Sequence, residues 1–311
     1  MTQTDTATAT APDALVRFLL EDAGVRGVHV RLDRTWAEIR ERADPPASAA
    51  GLLGEAVAAA ALFTGHVKVD GRLSVQLRGD GPLRTLFAEC TAAGTLRGIA
   101  TVAEDADPDD APPPAEALRA LGPDALLAIT IENPGAHGQD PTRYQGLVGL
   151  DADHLSAAFE GYFRQSEQLP TRLLLAADGQ RTAGLMLQKL PGDAGDVDGW
   201  ERASVLFDTL SAAELLETPA DVVLHRLFHE DGVRLLGDRP LRFACSCSRE
   251  RVSAMLESLG ENESREAAAG HGGLVEVRCE FCGETYRFTG DDLDVLFAPG
   301  PAAWAAPDRL Q

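Results

Sequence analysis

AAGLLGEAVAAAALFTGH, residues 49–66, is rich in alanine and has no interior proline. Alanine has the highest helix propensity, and a helix that is apolar on most of its surface must be packed against other elements. The segment therefore predicts a buried helix. Outward from it, the sequence predicts strands and further helices.

The segments around this helix predict strands, two of them paired in hairpins. DALVRFLLEDAGVRGVHVRL (13–32) predicts an amphipathic helix followed by a strand. GRLSVQLRGDGPLRTLFAEC (71–90) and TRLLLAADGQRTAGLMLQKL (171–190) predict hairpins that turn at residues 79–82 and at Asp178-Gly179. Strands at 125–132 and 144–150 and a helix at 155–168 complete a predicted α+β core of mixed sheets and helices, residues 13–192.

Composition and charge limit the classes of function. The 311 residues are 44% hydrophobic and 25% charged, as in globular proteins. We interpret no apolar run as approaching the roughly 18 to 20 residues that would span a bilayer, so we expect no membrane partner. The net charge of -21 repels phosphate backbones, so we expect no nucleic-acid partner.

The first residues carry no secretory signature. MTQTDTATATAPDALVRFLL lacks a basic n-region and an uninterrupted apolar h-region, so we expect a cytoplasmic protein with a disordered lead-in over residues 1–12. The acidic, proline-rich stretch at 104–116 predicts a solvated loop.

A change of sequence character after residue 192 predicts a helical linker over residues 193–241. SAAELLE (211–217) opens with Ser211 and Glu214 in capping-box spacing, and TPADVVLHRLFHE (218–230) predicts Thr218 as N-cap and Pro219 at N1. Such short helices are marginal alone and must pack on another surface. The segment is therefore either a metastable, conditional element or a permanently folded helical hairpin. We interpret His225 and His229 as surface or packing residues.

Four cysteines form a CxC-x31-CxxC pattern in FACSCSRERV (243–252) and VRCEFCGETYRF (277–288). Cys245, Cys247, Cys279 and Cys282 can close a tetrahedral zinc site, and clustered cysteines in a reducing cytosol are typical of metal binding or redox sensing. The pattern predicts one zinc ion in a small C-terminal domain, residues 242–300. A thiol cluster without metal and free buried cysteines remain alternatives.

The sequence around the cysteines predicts the small domain's elements. Ser248 is the predicted N-cap of a helix that ends before Gly260, and residues 284–297 predict a strand and a short helix. We expect Arg242, Arg249, Arg251 and Arg278 to favour thiolate charge.

Oxidation of one cysteine pair would remove two of the four ligands. In an extended CxC the Cα atoms lie about 6.6 to 7 Å apart, at the upper end of disulfide geometry, so the backbone must bend to form the bond.

Two other functions fit the cysteines less well. A dithiol oxidoreductase needs its CxxC to open a helix, whereas Gly283 and a strand-like stretch follow Cys282. A nucleic-acid-binding zinc ribbon conflicts with the acidic charge. Cys90 is interpreted as a buried apolar residue.

These motifs and the rest of the chain resemble the 33 kDa heat-shock protein family of redox-regulated holdase chaperones. The similarity extends over nearly the whole chain and is carried by RFLLEDAGVRG, TW at 35–36, LLGEAVAAAAL, GRLSVQLRGDGPL, AECTAAGTLRG, RYQGLV, YFRQSEQLPTRLLLAAD, VLHRLFHE, RFACSCSRERV and VRCEFCGETYRF. DPPAS (44–48) and the acidic stretch at 104–116 look peculiar to this chain.

The resemblance implies a substrate-binding core, a helical linker and a zinc redox-switch domain with Cys245, Cys247, Cys279 and Cys282 as metal ligands. It implies a non-enzymatic, ATP-independent stress-response chaperone that is inactive when reduced and zinc-bound. Oxidation is expected to form Cys245–Cys247 and Cys279–Cys282 disulfides, release zinc and expose apolar surface to unfolding client proteins. The reduced form is expected to be a monomer and the oxidised form a homodimer.

Overall fold

The computed structural model describes residues 13–107, 114–135, 140–192, 194–270 and 272–298. The chain divides into two compact units, Met1–Cys245 and Ser246–Gln311. Helices and mainly antiparallel sheets share the first unit, which confirms the α+β class. The predicted lead-in at 1–12 and residues 108–113 of the acidic stretch lie outside the described residues.

Nineteen elements are described for the first unit. They are β1 (Ala14–Leu20), β2 (Val25–Leu32), α1 (Arg34–Ala43), α2 (Ala47–His66), β3 (Arg72–Arg78), β4 (Leu83–Thr91), β5 (Thr95–Val102), α3 (Pro114–Arg119), β6 (Leu126–Asn133), β7 (Thr142–Gly149), α4 (Leu155–Ser166), β8 (Thr171–Ala177), β9 (Thr182–Lys189), α5 (Gly199–Phe207), α6 (Ala212–Glu217), α7 (Ala220–Phe228), a 3-10 turn (His229–Asp231), β10 (Val233–Pro240) and β11 (Arg242–Phe243).

Two sheets organise the first unit. The five-stranded sheet has the order β10-β1-β2-β9-β8 and is antiparallel throughout. The six-stranded sheet has the order β11-β5-β4-β3-β6-β7, with β11 parallel to β5. Both predicted hairpins are confirmed as β3–β4 and β8–β9.

Helix α2 forms the centre of the first unit, as the alanine-rich segment predicts. Its residues share one apolar cluster with side chains of both sheets, such as Val30 of β2 and Val75 of β3. Alanine allows this close approach because a larger side chain would separate the helix from the strands. The packing is tight at Gly54, because a Cβ there would lie 2.5 Å from the Cβ of Ala177.

The same helix corrects the expectation that no segment could cross a membrane. Among the described residues, α2 alone is long and apolar enough by length and composition. Most of it is buried within the protein, and a core helix meets the same criteria. By composition the segment fits both a membrane-spanning helix and a core helix, and its burial favours the core helix.

The five-stranded sheet is apolar on both faces. Val28, Val30 and Met186 belong to the α2 cluster. The opposite face, called the second face below, packs against the linker helices α5, α6 and α7 and is formed by Phe18, Leu20, Val25, Ala183, Leu185 and Leu187. Strand β9 consequently has seven consecutive buried residues, Thr182 to Gln188.

The predicted helix at the start of the chain is wrong, because residues 14–20 form strand β1. Leu15 packs with the α2 cluster, whereas Phe18 and Leu20 pack with the second face. A strand buried on both faces does not alternate apolar and polar residues, so its apolar spacing imitates that of a helix. The predicted strand after it is confirmed as β2.

The linker segment differs in detail from its prediction. Helix α5 was not predicted, and α7 starts one residue later than expected, with Pro219 as N-cap. The Ser211 hydroxyl caps α6 by accepting the Glu214 N–H at 3.2 Å, while the Glu214 carboxylate pairs with Arg226 instead of closing a capping box. Residues 233–240, inside the predicted linker, form strand β10 on the edge of the five-stranded sheet.

The second unit is small. Its described elements are α8 (Arg249–Leu259), α9 (Glu261–Gly270), β12 (Leu274–Arg278), β13 (Thr285–Thr289) and α10 (Gly290–Leu296). The predicted caps of α8 are confirmed, since Ser248 accepts the Arg251 N–H at 3.3 Å and Gly260 follows Leu259 at φ 105°. The buried apolar residues described for it are Val252, Leu256, Ala268, Val275, Phe288 and Leu293. So few apolar residues form a weak core.

A buried histidine makes stability depend on pH. His29 of β2 lies between Val16 and Leu185, is 1% exposed, and its Nε2 has no hydrogen-bond partner. Burial, aided by the charge of Arg31, lowers its pKa from 6.5 to about 4. The unfolded chain therefore binds a proton below pH 6.5 that the folded protein excludes, so stability falls as the pH decreases toward 4.

We predict that His29 destabilises the wild-type protein by about 2 kcal/mol at pH 5 relative to pH 8. Glu55 acts in the opposite sense, because burial raises its pKa to about 7. The folded protein therefore holds a proton that the unfolded chain has lost, so the stability that Glu55 contributes falls as the pH rises. Denaturant unfolding of wild type and His29→Leu at both pH values isolates the histidine. The variant should lose less stability in acid, and an equal loss in both proteins would contradict the assignment.

Candidate metal centre

The first cysteine pair follows a short strand of the six-stranded sheet. Strand β11 pairs Arg242 with Thr95 and Phe243 with Leu96, and the Ala244 N–H donates to the Leu96 carbonyl at 3.1 Å. This pairing positions Cys245, the last residue of the first unit. Cys247 lies two residues further on, directly before the Ser248 cap of α8.

The second cysteine pair lies in the turn between β12 and β13. The Gly283 N–H donates to the Cys279 carbonyl at 2.8 Å, and the Cys279 N–H donates to the Glu284 carbonyl at 2.8 Å. Gly283 has φ 71°, a conformation that favours glycine. The tight turn brings Cys279 and Cys282 to the same side, and Cys282 leads into a strand instead of a helix.

The structure brings all four predicted cysteines together. Their sulfur atoms lie within 4.8 Å of one another, and the Sγ atoms of Cys247 and Cys282 are 3.3 Å apart. Tetrahedral zinc with bonds of about 2.3 Å would separate its ligand sulfurs by about 3.8 Å, which is within this range. Four half-buried thiols are also the donor set that zinc prefers. The site therefore fits a zinc ion, and ligation by these residues stays a prediction.

Two contacts to the sulfurs were missed in the sequence. The Tyr286 hydroxyl donates to Cys247 Sγ at 3.2 Å, and this hydrogen bond raises the pKa of Tyr286. Arg97 of β5 hydrogen-bonds to Cys245 through its side chain. Tyr286 is close to Cys282 in the sequence, so the strand pattern could have suggested it. Arg97 carries no local signal, because only the pairing of β11 with β5 brings it near.

Arg249 was expected to favour thiolate charge, but its described contacts belong to the small core. It donates to the Arg287 carbonyl at 2.8 Å, pairs with Asp292 at 3.0 Å and lies 4.2 Å from the centre of the Phe288 ring. These contacts hold α8 against β13 and the start of α10.

Residues outside the cluster agree with their predicted roles. Cys90 is fully buried, and desolvation raises the pKa of its thiol to about 11, which makes it unreactive. His225 and His229 lie on the exposed side of α7 and near its end, with ring centres 5.4 Å apart.

The fold and the site together define an α+β protein with a small C-terminal unit and a four-cysteine cluster able to bind a metal ion. The Hsp33 protein family matches residues 13–289. The chain therefore belongs to the Hsp33 family.

Named relatives agree with this membership. The 33 kDa chaperonin of Ectopseudomonas mendocina is 44% identical over 292 residues, covering 91% of this chain and 94% of that protein. The 33 kDa chaperonin of Azotobacter vinelandii is 43% identical over 294 residues, covering 93% and 95%. The crystal structure of the 33 kDa chaperonin from Thermotoga maritima has a TM-score of 0.75 at 24% identity and covers 92% of this chain and 98% of that one, which shows a shared fold. Membership of this family supports a chaperone.

Replacement of one cluster cysteine tests the ligand assignment. Cys282→Ser should weaken Zn²⁺ binding by more than about 100-fold, because even loss of an outer-shell partner costs 10- to 100-fold. The second unit should lose structure while the core, residues 13–192, stays folded. Cys90→Ala is the matched control and should keep wild-type affinity. Competition with a zinc chelator measures both variants, and full affinity in Cys282→Ser would exclude this residue as a ligand.

Proposed function

We propose that this protein is a redox-regulated, ATP-independent holdase of the cytoplasm, a stress-response chaperone with no enzymatic activity. It is inactive when reduced and zinc-bound, and oxidation activates it to bind unfolding proteins and prevent their aggregation. The observation that carries the proposal is the cluster of Cys245, Cys247, Cys279 and Cys282 within 4.8 Å, in a chain of the Hsp33 family.

Thiol chemistry supplies the proposed trigger. A bound zinc ion would keep the four sulfurs as thiolates, the form that oxidants attack. Oxidation joins Cys245 to Cys247 and Cys279 to Cys282. For each disulfide, two thiolates lose two electrons, and hypochlorous acid takes up these electrons and one proton to give chloride and water. The oxidised sulfurs no longer offer thiolates to a metal, so zinc is released.

The small core of the second unit makes its folding dependent on metal. Structural zinc contributes on the order of 10 to 16 kcal/mol to the folding of small domains. The six buried apolar residues described for this unit form too small a core to replace that contribution. The bend needed to join Cys245 to Cys247 adds to the disruption, because it is incompatible with an extended Cys-Ser-Cys backbone.

The linker helices connect this unfolding to client binding. Helices α5, α6 and α7 have nine, six and nine residues, lengths that are marginal without tertiary packing. Their release would uncover the second face, where Phe18, Leu185 and Leu187 are buried. An uncovered apolar sheet face can bind the apolar segments of unfolding proteins without nucleotide hydrolysis.

We propose a substrate-binding core over residues 13–192, a metastable linker over 193–241 and a redox-switch domain over 242–300. We also propose a monomer in the reduced state and a homodimer in the oxidised state, with neither nucleic acid nor membrane as partner.

Comparison of redox states tests the proposal. We expect the reduced, zinc-loaded protein to leave a thermally unfolding test protein unprotected, and the hypochlorous-acid-treated protein to suppress its aggregation. Oxidation should release one Zn²⁺ per chain and consume the four cluster thiols while Cys90 remains reduced. Light scattering, zinc release and thiol counts are measured on one sample, and equal protection by both forms would rule out the redox switch.

A variant with a weakened linker should be active as a chaperone without oxidant. Phe228 of α7 is fully buried and stacks on Phe18 of β1 with ring centres 6.5 Å apart, so Phe228→Gln should weaken linker packing by about 3 kcal/mol. Val222 of the same helix is 49% exposed, so Val222→Gln is the control. Aggregation assays on the reduced proteins should show protection only by the Phe228 variant. Protection by neither would argue against masking by the linker.

A further inference from the structure

Arg97 occupies an unusual position in the six-stranded sheet. It lies opposite Glu89 in the β4–β5 pairing, and its Nε donates to Glu89 Oε1 at 2.9 Å. The side chains of Arg97 and Glu89 are only 14% and 7% exposed. Arg72 approaches the other Glu89 oxygen at 3.8 Å. The carboxylate thus fixes one edge of the Arg97 guanidinium group.

Strand pairing brings the first cysteine of the cluster close to Arg97. Strand β11 is paired with Thr95 and Leu96, the two residues before Arg97, and the Ala244 N–H is bonded to Leu96. Cys245, the next residue, therefore lies beside Arg97 and is hydrogen-bonded to it. Both residues belong to the first unit, so this contact is part of its sheet geometry.

Charge gives this contact a role in metal binding. Four thiolates around a divalent ion leave a net charge of about -2, which N–H donors to sulfur offset. Outer-shell partners also orient the ligand atom, and their loss typically costs 10- to 100-fold in affinity. Cys245 of the cluster is hydrogen-bonded to this cation, which the sheet holds in place.

We propose that Arg97 is a positioning residue of the metal centre: it orients Cys245 Sγ and offsets its charge, and thereby sets how tightly the site holds a thiophilic divalent ion. This inference rests on the proposed function only in that the four cysteines bind zinc. Arginine suits the role because its planar group can bind Glu89 along one edge and a sulfur with its other N–H groups. A lysine ammonium has no such fork.

Metal affinity of the reduced, full-length protein tests the role. Zn²⁺ alone is titrated against a chromophoric chelator, and Co²⁺ alone is titrated to record the thiolate-to-metal absorption of a tetrahedral site. Arg97→Gln should weaken Zn²⁺ binding by about 10-fold or more, speed its transfer to the chelator and alter the Co²⁺ spectrum. Arg97→Lys should lie between Arg97→Gln and wild type.

Arg72→Gln is the matched control, because Arg72 shares the Glu89 partner and its described ion pairs are with Glu89 and Glu132. It should keep wild-type affinity and spectrum. The inference is overturned if Arg97→Gln matches wild type, or if Arg72→Gln loses as much affinity. If Arg97→Gln does not fold, Arg97→Lys decides, and wild-type affinity in that variant overturns the inference. A wild-type protein that binds no Zn²⁺ would instead overturn the proposed function as well.

Discussion

The five-stranded sheet is apolar on both faces, and helices cover each face in the structure. Burial of apolar surface stabilises a protein by about 25 cal/mol per Å², so an uncovered face is costly. Helix α2, twenty residues long, covers one face and also packs on the six-stranded sheet. Three short helices cover the other. The two covers are therefore very unequal in intrinsic stability.

The linker helices are held by a few specific contacts besides apolar packing. Arg202 of α5 donates to Asp231 Oδ1 at 2.8 and 2.6 Å, and Asp231 is fully buried two residues before β10 begins. Asp231 Oδ2 has no hydrogen-bond partner, so Arg202 is needed to compensate the buried negative charge of this carboxylate. In the proposed switch, loss of the metal leads to release of the linker helices. The second face then becomes the binding surface for unfolding proteins.

The cysteine cluster could be predicted because each pair is encoded by short spacing and local turn chemistry. The cap at Ser248 and the glycine at Gly283 follow the same local rules. Arg97 and β10 could not be predicted, because each depends on pairing between strands that are distant in the sequence. Strand β1 was mistaken for a helix because burial on both faces removed its alternation. Helix α9, ENESREAAAG, has only a weak apolar pattern and was missed for that reason.

Hydrogen–deuterium exchange of the full-length protein, before and after oxidation, tests the central claim most directly. If the linker helices are a conditional cover, oxidation should remove amide protection from residues 199–228 while α2 and β9 remain protected. The same sample should gain the ability to suppress aggregation. Unchanged protection of residues 199–228 in an oxidised protein that is active as a chaperone would contradict the claim.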